Sequence, residues 1–360
     1  MNWYLFIFIW LIAMFLFENQ KNVMTPTNVL GKEEYRVSIL FAAAAFFPIF
    51  WLASQGTPQS DTWLYLSIFD GLPNTVSGLI QTLSDEDSGK GFAAFECIIK
   101  IIFGNNRTAF RTILGLLHSI PFILVCRKYS EDYLFTVFLF AASGCHTGWM
   151  MNGLRQYAAV MIIFAATPFV LKKKYVPAVL LVLLAATFHT SALIMLPVVF
   201  IVQGEAWNRK TLILIVIAII AMYAFSTTPG LFDSMLEGTE YAGTEAAMAE
   251  AGDDGTNPIR VLVNAIPTLL AFMGQRQIKE EKDPVINLCV NMSVITLGVY
   301  LISIVTSGIM VGRLPIYMSL YNLILLPYEI SHLFTEKSVK IMRILTIGFY
   351  MLYYNIQVGF

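Results

Sequence analysis

The chain has 360 residues, of which 57% are hydrophobic and only 13% are charged, and its formal net charge is -1. Ordinary soluble domains carry about 25% charged residues, so this composition indicates an integral membrane protein. The near-zero net charge, with no basic tract longer than Lys172, Lys173 and Lys174, argues against nucleic acid as a partner.

Apolar runs recur from the first residues to the last, and a helix needs roughly 17 to 25 apolar residues to cross a bilayer. The first run, MNWYLFIFIWLIAMFLF, lacks a basic n-region and a cleavage site, which predicts a retained helix rather than a signal peptide. We predict about ten transmembrane helices in a single polytopic domain, 1–360. They cover 3–17, 37–53, 108–126, 133–152, 157–171, 211–225, 259–274, 285–306, 314–333 and 338–354.

Two further segments are ambiguous. GFAAFECIIKIIFG, 91–104, is too short to span, and its Glu96 and Lys100 lie one turn apart, which predicts an interfacial amphipathic helix with a polar face. The apolar run 176–202 is interrupted by His189, Thr190 and Ser191. It is either one long helix or a hairpin of two short ones.

The basic residues of the short loops decide between these topologies, because Lys and Arg mark the cytoplasmic side. With an outer amphipathic helix and a hairpin, six basic loops fall on one side. They hold Lys21, Lys32 and Arg36; Arg127 and Lys128; Lys172 to Lys174; Arg209 and Lys210; Arg276, Lys279 and Lys282; and Lys337 and Lys340. Loops 54–107 and 226–258, with the acidic stretches SDEDSGK and AEAGDDGTNP, then lie outside. A single crossing at 176–202 would break this pattern.

Several cations lie on the predicted outer face, where the positive-inside rule disfavours them. Arg155 and Arg313 occupy short turns between helices, Arg111 and Arg260 lie near helix ends, and His189 is at the hairpin tip. A guanidinium near hydrocarbon is costly, and its planar fork suits phosphate, so these residues predict a cradle for an anionic headgroup such as a lipid pyrophosphate. The alternative is that they snorkel to lipid phosphates or pair with acids, which is the stronger reading for Arg111 and Arg260.

No metal site is predicted. The cysteines Cys97, Cys126, Cys145 and Cys289 are scattered, and His118 and His146 have no second ligand at metal spacing. The chain also has no Walker loop and no GxGxxG after a strand, which argues against a nucleotide-driven pump.

The segment LRQYAAVMIIFAATPFVLKKKYVPAVLLVLLAATFHTSALIMLPVVF, 154–200, resembles the EpsG family of Wzy-like exopolysaccharide polymerases. The match consists of LRQ, a lysine cluster, and a second apolar helix that ends in A-x-x-FH-x-S-A. SDTWLYLSIF resembles the family's outer D-x-x-x-Y-x-x-x-F segment, with Asp61, Tyr65 and Phe69, and GRLPIYM its R-x-x-x-Y segment, with Arg313 and Tyr317. One departure is that Gly89 and Lys90 replace an expected Glu-Pro pair, which puts any role of that carboxylate in doubt.

The resemblance implies an all-α polytopic membrane protein, similar to GT-C-like glycosyltransferases, in the bacterial cytoplasmic membrane with its active face outward. It implies a polymerase of exopolysaccharide, O-antigen or capsule that joins undecaprenyl-pyrophosphate-linked oligosaccharide repeat units. Arg155, Gln156, Arg313, Tyr65 and Tyr317 would then bind the pyrophosphate or the sugars. Asp61 or His189 would be the general base. No cofactor is required, because the donor arrives activated by its diphosphate. The expected partners are the lipid-linked substrate, membrane lipid and a chain-length regulator protein.

Two other functions remain open. The first is a different membrane transferase, either a polyprenyl-phosphate-sugar glycosyltransferase that adds a single sugar or an acyltransferase. An acyltransferase would need its active histidine near the inner end of a helix, whereas the predicted topology puts His189 outside. The second is a flippase for the lipid-linked unit, which should show internal repeats and paired broken helices. Only one broken segment is visible.

Overall fold

The computed structural model describes residues 3–18, 23–58, 61–86, 88–228, 231–236, 252 and 255–358. The contacts divide the chain into two compact units, which we describe separately. The first unit comprises Met1–Leu196 and Glu336–Phe360, and the second comprises Pro197–Thr335. The prediction of a single polytopic domain over 1–360 stays a prediction.

The first unit is built from helices around one small hairpin. Its elements are α1 (Trp3–Glu18), β1 (Met24–Val29), β2 (Lys32–Val37), α2 (Ile39–Gln55), α3 (Asp61–Gly71), α4 (Val76–Asp85), α5 (Lys90–Phe103), α6 (Arg107–Tyr129), α7 (Tyr133–Ala142), a π-helical turn (His146–Met150), α8 (Leu154–Phe164), α9 (Thr167–Leu171), α10 (Tyr175–Phe188), a 3₁₀ turn (Thr190–Ile194) and the start of α11 (Met195–Ile201). The C-terminal helix Glu336–Val358 also belongs to this unit.

Side-chain caps explain where several of these helices begin, because the first backbone N–H groups of a helix have no partner within it. The Ser38 hydroxyl accepts a hydrogen bond from the Phe41 N–H at 3.3 Å, at the start of α2. The side chains of Asn106 and Asp132 accept in the same way at the starts of α6 and α7, at 3.0 and 2.9 Å. These boundaries therefore follow from single polar residues in front of apolar runs.

The core of this unit lies where α2, α6, α7 and α8 meet. Phe122 of α6 packs against Phe46 of α2 and Phe140 of α7, with ring centroids 5.1 and 4.5 Å apart, and all three rings are fully buried. Each such ring buries a large apolar surface, so this cluster is a main source of packing energy for the unit. Phe122 also stacks on Phe164 of α8, with centroids 6.4 Å apart, which connects the cluster to the helix that carries Arg155 at its start.

The antiparallel hairpin β1–β2 is a feature that the sequence analysis missed. Leu30 and Gly31 connect the strands with φ angles of 52° and 96°, the positive values that a tight primed turn requires. The hairpin is tied to the end of α6: the Arg127 guanidinium donates to the Val37 carbonyl at 2.5 Å and to the Thr25 hydroxyl at 2.9 Å. The described chain is thus almost entirely helical, and this hairpin is the departure from the predicted all-α fold. Lys21, one of the predicted cytoplasmic charges, lies outside the described residues.

The second unit is also helical. Beyond α11 its elements are α12 (Arg209–Thr227), α13 (Leu231–Leu236), α14 (Pro258–Met273), α15 (Gln275–Glu281), α16 (Pro284–Ile304), a 3₁₀ turn (Val311–Arg313), α17 (Ile316–Ser319) and α18 (Asn322–His332). The helix Glu336–Val358 of the first unit is α19. The fully buried Asn291 of α16 organises the 202–207 turn: its amide donates to the Val202 and Glu205 carbonyls at 3.1 and 3.0 Å and accepts from the Trp207 N–H at 3.1 Å.

By length and composition, four stretches of the described chain could cross a membrane: Arg107–Tyr129, Leu154–Leu171, Arg209–Thr227 and Pro284–Ile304. Six further apolar helices have 10–17 residues. The predicted total of about ten spans is therefore not confirmed. The predicted helix 133–152 stops at Ala142, before Gly144 with its φ of 75°, and the predicted helix 314–333 is divided into α17 and α18.

The two ambiguous segments resolve differently. The run 176–202 is broken as predicted, because His189 has extended angles (φ -149°, ψ 118°) between α10 and the 3₁₀ turn. The folding of its second half back on the first stays a prediction. Segment 91–104 does form a helix, α5, but its Glu96 and Lys100 are only 3% and 6% exposed. The expectation of a polar outer face is therefore wrong for these two residues, since both are covered by neighbouring helices.

Candidate functional site

The predicted outer loop 54–107 is not irregular: it carries α3, α4 and α5, and α3 is tied to the turn before α8. The Asp61 N–H donates to the Asn152 side-chain oxygen at 3.4 Å, and the Thr62 hydroxyl donates to the Met151 carbonyl at 2.6 Å. These two contacts join segments about ninety residues apart in sequence. They bring Asp61, in the first turn of α3, to the turn that leads into Arg155.

Tyr65 lies one turn after Asp61 on α3 and is close to Arg155. Burial raises the pKa of the Tyr65 hydroxyl, whereas the Arg155 guanidinium and a hydrogen bond from the Arg155 backbone lower it, and the Asp61 carboxylate raises it. Such mutual effects require groups within a few ångströms of one another. Asp61, Tyr65 and Arg155 therefore form one cluster. Their role as functional residues stays a prediction.

The Arg155 guanidinium lies beside the start of α5. A Cβ atom placed on Gly89 would be 2.8 Å from Arg155 Nη1, so any side chain at this position would displace the end of the flexible Arg155 side chain. Gly89 also has a φ of 74°, which disfavours other residues. It precedes α5 and offers no side-chain cap, so the Arg155 guanidinium lies beside the N-terminal end of α5.

Gly89 is also the position at which the family resemblance predicts a glutamate. The structure explains why its absence matters locally: a carboxylate there would lie against the Arg155 guanidinium. In this chain that space is free of a side chain. The cation of Arg155 is correspondingly less neutralised than it would be with glutamate at this position.

Aromatic rings connect this cluster to the region of His189. Tyr65 packs edge-to-face on Phe92 of α5, with centroids 5.6 Å apart, and Phe92 packs on Phe188 at 6.0 Å. His189 follows Phe188 directly, and its Nδ1 shares a hydrogen bond of 2.7 Å with the Ser191 hydroxyl. His189 is half-buried and belongs to the same unit as Asp61 and Arg155.

Lys100 and His118 connect the helices around this cluster by hydrogen bonds. Lys100 of α5 donates to the Phe69 and Asp70 carbonyls at 2.8 and 2.7 Å, which satisfies the end of α3. His118 of α6 is buried, and its Nε2 lies 3.2 Å from the Leu154 carbonyl at the start of α8. Both residues thus position the helices that carry Tyr65 and Arg155. Gln156, the next predicted site residue, is buried at 5% exposure.

The other predicted site residues belong to the second unit. Arg313 ends the 3₁₀ turn Val311–Arg313 and is exposed, whereas Tyr317 of α17 is only 1% exposed. Their convergence with Arg155 and His189 stays a prediction. Loop 226–258 lies largely outside the described residues, including half of AEAGDDGTNP.

Arg111 has a structural role. Its guanidinium donates to the Ala53 and Gly56 carbonyls at 3.0 and 2.6 Å, at the C-terminal end of α2, where backbone carbonyls lack helical partners. Its partners are thus backbone carbonyls and not the lipid phosphates or acids that the sequence analysis considered. In the part of the chain that the structure describes, no group of three His, Cys, Asp or Glu residues could hold a metal ion.

Glu96 is the residue of this region whose place the sequence reasoning missed. The sequence did show that Glu96 and Lys100 lie one turn apart in a short apolar helix, but this spacing was interpreted as an exposed polar face. In the structure both side chains are buried between helices, Lys100 on carbonyls and Glu96 within electrostatic reach of Arg155.

The family model described as the EpsG family matches residues 38–359. No curated protein and no solved structure matches the chain, so the expected likeness to GT-C-like glycosyltransferases stays a prediction. The match spans the cluster of Asp61, Tyr65 and Arg155 as well as Arg313. With its apolar helices and this match over nearly its whole length, the chain is a membrane protein that belongs to the EpsG family of Wzy-like exopolysaccharide polymerases.

Proposed function

We propose that this protein joins undecaprenyl-pyrophosphate-linked oligosaccharide repeat units into a polysaccharide on the outer face of the bacterial cytoplasmic membrane. The observation that carries the proposal is the position of Arg155. Its guanidinium lies at the start of α5 beside Gly89, uncovered by a side chain at that position, and Asp61 and Tyr65 adjoin it. A cation beside the N-terminus of a helix forms a favourable environment for a phosphate.

The proposed reaction needs charge stabilisation more than a cofactor, because the diphosphate already activates the donor. The hydroxyl oxygen of the acceptor sugar bonds to the anomeric carbon of the donor chain, and the bond from that carbon to the pyrophosphate oxygen breaks. Negative charge builds up on the leaving pyrophosphate, where Arg155 stabilises it. Fixed charges of this kind are often the largest contribution to catalysis.

Asp61 is our candidate for the general base that accepts the acceptor hydroxyl proton, which contributes roughly 10²- to 10⁴-fold. It is half-buried and shares the Tyr65–Arg155 cluster, whereas His189 reaches that cluster through the rings of Phe188 and Phe92. His189 is the second candidate. Gln156, Arg313 and Tyr317 are proposed to support substrate binding.

The outward orientation rests on the basic loops, which place α3 to α5 outside. A chain-length regulator protein and membrane lipid are the proposed partners. In this arrangement the lipid-linked unit remains in the membrane while its glycan meets the α3–α5 region.

Polymer length tests the proposal in cells that carry Arg155→Ala, Arg155→Lys or Arg276→Ala at matched protein level. Arg276 is the control, because its side chain is 92% exposed and pairs with Glu280 one turn away. We expect short glycans with Arg155→Ala, partial length with Arg155→Lys and full length with Arg276→Ala. Full-length polymer with Arg155→Ala contradicts the proposed site.

Purified protein distinguishes the competing functions. The substrate is the lipid-linked glycan that accumulates in cells lacking the gene. A ladder of products supports polymerisation, and addition of a single sugar supports another glycosyltransferase. Acyl transfer, or movement of the unit across vesicles without bond formation, supports the remaining alternatives.

A further inference from the structure

A buried carboxyl group lies in the Arg155 cluster without a role in the mechanism above. Glu96 is 3% exposed, and its Oε1 atom is fully buried with no hydrogen-bond partner. Buried polar atoms are nearly always paired, so an orphan of this kind requires an explanation. The Nε atom of Arg155 is a second buried polar atom without a partner in the same cluster.

The position of Glu96 on α5 directs it toward this site. Phe92 lies one turn before Glu96 on the same face and packs on Tyr65, and Gly89, beside Arg155, lies about one turn further toward the N-terminus. Helical side chains lean toward the helix N-terminus, so the Glu96 carboxyl leans toward the Gly89 end of α5. The Arg155 guanidinium is within electrostatic reach of this carboxyl.

The charges around Glu96 leave its carboxyl mostly uncompensated. Burial raises the pKa of Glu96 from 4.5 to about 8, although the Arg155 guanidinium lowers it, and the Glu86 carboxylate raises it as well. The titratable groups on the elements that pack against α5 are Asp61, Tyr65 and Asp70 of α3, Asp85 of α4 with Glu86 after it, Arg107, Arg111 and His118 of α6 with Cys126, Arg127, Lys128 and Tyr129 at its far end, and Tyr175 of α10. Of these cations, Arg107 pairs with Asp70 and Arg111 with backbone carbonyls. α10 carries no charged residue.

We propose that Glu96 is a catalytic proton donor, which in its neutral form contacts the leaving pyrophosphate beside Arg155. The inference rests on the proposed function and extends it by one residue. Its low exposure keeps the acidic proton away from bulk water until the substrate is bound. Glu96 and Asp61, two carboxyl groups in different environments, then act as the acid and the base.

The protons balance in this step. As the bond between the anomeric carbon and the pyrophosphate oxygen breaks, that oxygen takes the Glu96 proton. As the acceptor oxygen bonds to the same carbon, Asp61 takes the hydroxyl proton. Glu96 leaves the step as a carboxylate beside the Arg155 guanidinium, and Asp61 leaves it protonated. Exchange with water returns both groups to their starting forms.

The test measures kcat/KM between pH 6 and 10 for purified protein in lipid vesicles, with the lipid-linked glycan from cells lacking the gene. For the unchanged protein we expect kcat/KM to fall as pH rises through about 8, because the donor loses its proton there. For Glu96→Gln we expect a rate lower by about 10² or more and no decline near pH 8, because glutamine keeps the shape but has no acidic proton. Asp85→Asn, which removes an exposed carboxyl group of α4, is the control and should keep both rate and profile.

A Glu96→Gln protein that keeps the full rate and the decline near pH 8 overturns the proposal. So does an unchanged protein whose kcat/KM does not fall through pH 8, and this measurement needs no variant to fold. Glu96→Asp, which retains an acidic proton, should keep a decline at high pH at a reduced rate. Loss of activity in Arg155→Ala together with a normal Glu96→Gln protein rejects only this inference. Normal polymer with Arg155→Ala rejects the proposed function itself.

Discussion

Replacing Glu96 by glutamine should stabilise the folded protein at neutral and high pH while leaving its stability at low pH nearly unchanged. The pKa of Glu96 is raised from 4.5 to about 8 by burial, so the native state holds this proton more tightly than the unfolded chain does. The stability that the proton provides is fully present below pH 4.5, declines as pH rises and is lost once pH exceeds about 8.

The size of the effect follows from the same values. Each tenfold change in proton affinity corresponds to about 1.4 kcal/mol, so ionised Glu96 costs the native state about 5 kcal/mol above pH 8 and about 3 kcal/mol at pH 7. The side chain is 3% exposed, and solvent screening therefore reduces this cost little. Glutamine avoids the cost, because it carries no charge at any pH.

Thermal unfolding in detergent micelles, followed by tryptophan fluorescence from pH 4 to 9.5, measures this difference. We expect the Tm of Glu96→Gln relative to the unchanged protein to rise steadily with pH and to level off above about pH 8. Asp85→Asn serves as the comparison, since its carboxyl group is exposed and should give parallel curves. Parallel curves for Glu96→Gln would show that the carboxyl is not buried as the structure has it.

Three further substitutions test other parts of the structure. Gly89→Ala places a Cβ 2.8 Å from Arg155 Nη1 at a φ of 74°, so we expect at least tenfold less polymer with normal membrane insertion, and normal polymer would contradict this geometry. Arg127→Ala removes donors to the Val37 carbonyl and the Thr25 hydroxyl, so the 24–37 hairpin should be cleaved faster by a protease added to inside-out vesicles, and unchanged cleavage would argue against this attachment. Asn291→Ala leaves two carbonyls and one N–H group of the 202–207 turn unpaired, so we expect a loss of roughly 2 to 4 kcal/mol in unfolding free energy, measured by denaturant titration in micelles.

The sequence by itself determined that the chain is a helical membrane protein, where several of its helices begin and which family it resembles. Long apolar runs must bury their backbone polar groups in helices, so composition and run length alone predicted a helical membrane protein. Asparagine, aspartate and serine before those runs set helix starts, as at Ser38 and Asp132. The short motifs around Asp61, Tyr65 and Arg155 indicated the family, because their residue types and order are local properties of the chain.

Tertiary structure alone decided which of these residues meet and which are buried. The contact between α3 and the turn before α8 joins Asp61 to Asn152, a pairing across ninety-one positions that no local pattern encodes. The burial of Glu96 and Lys100 depended on the helices that cover α5, whereas the one-turn spacing only showed that they share a face. Helix periodicity gives the face of a residue, and only the neighbours that pack on that face decide whether it meets water, lipid or another charge.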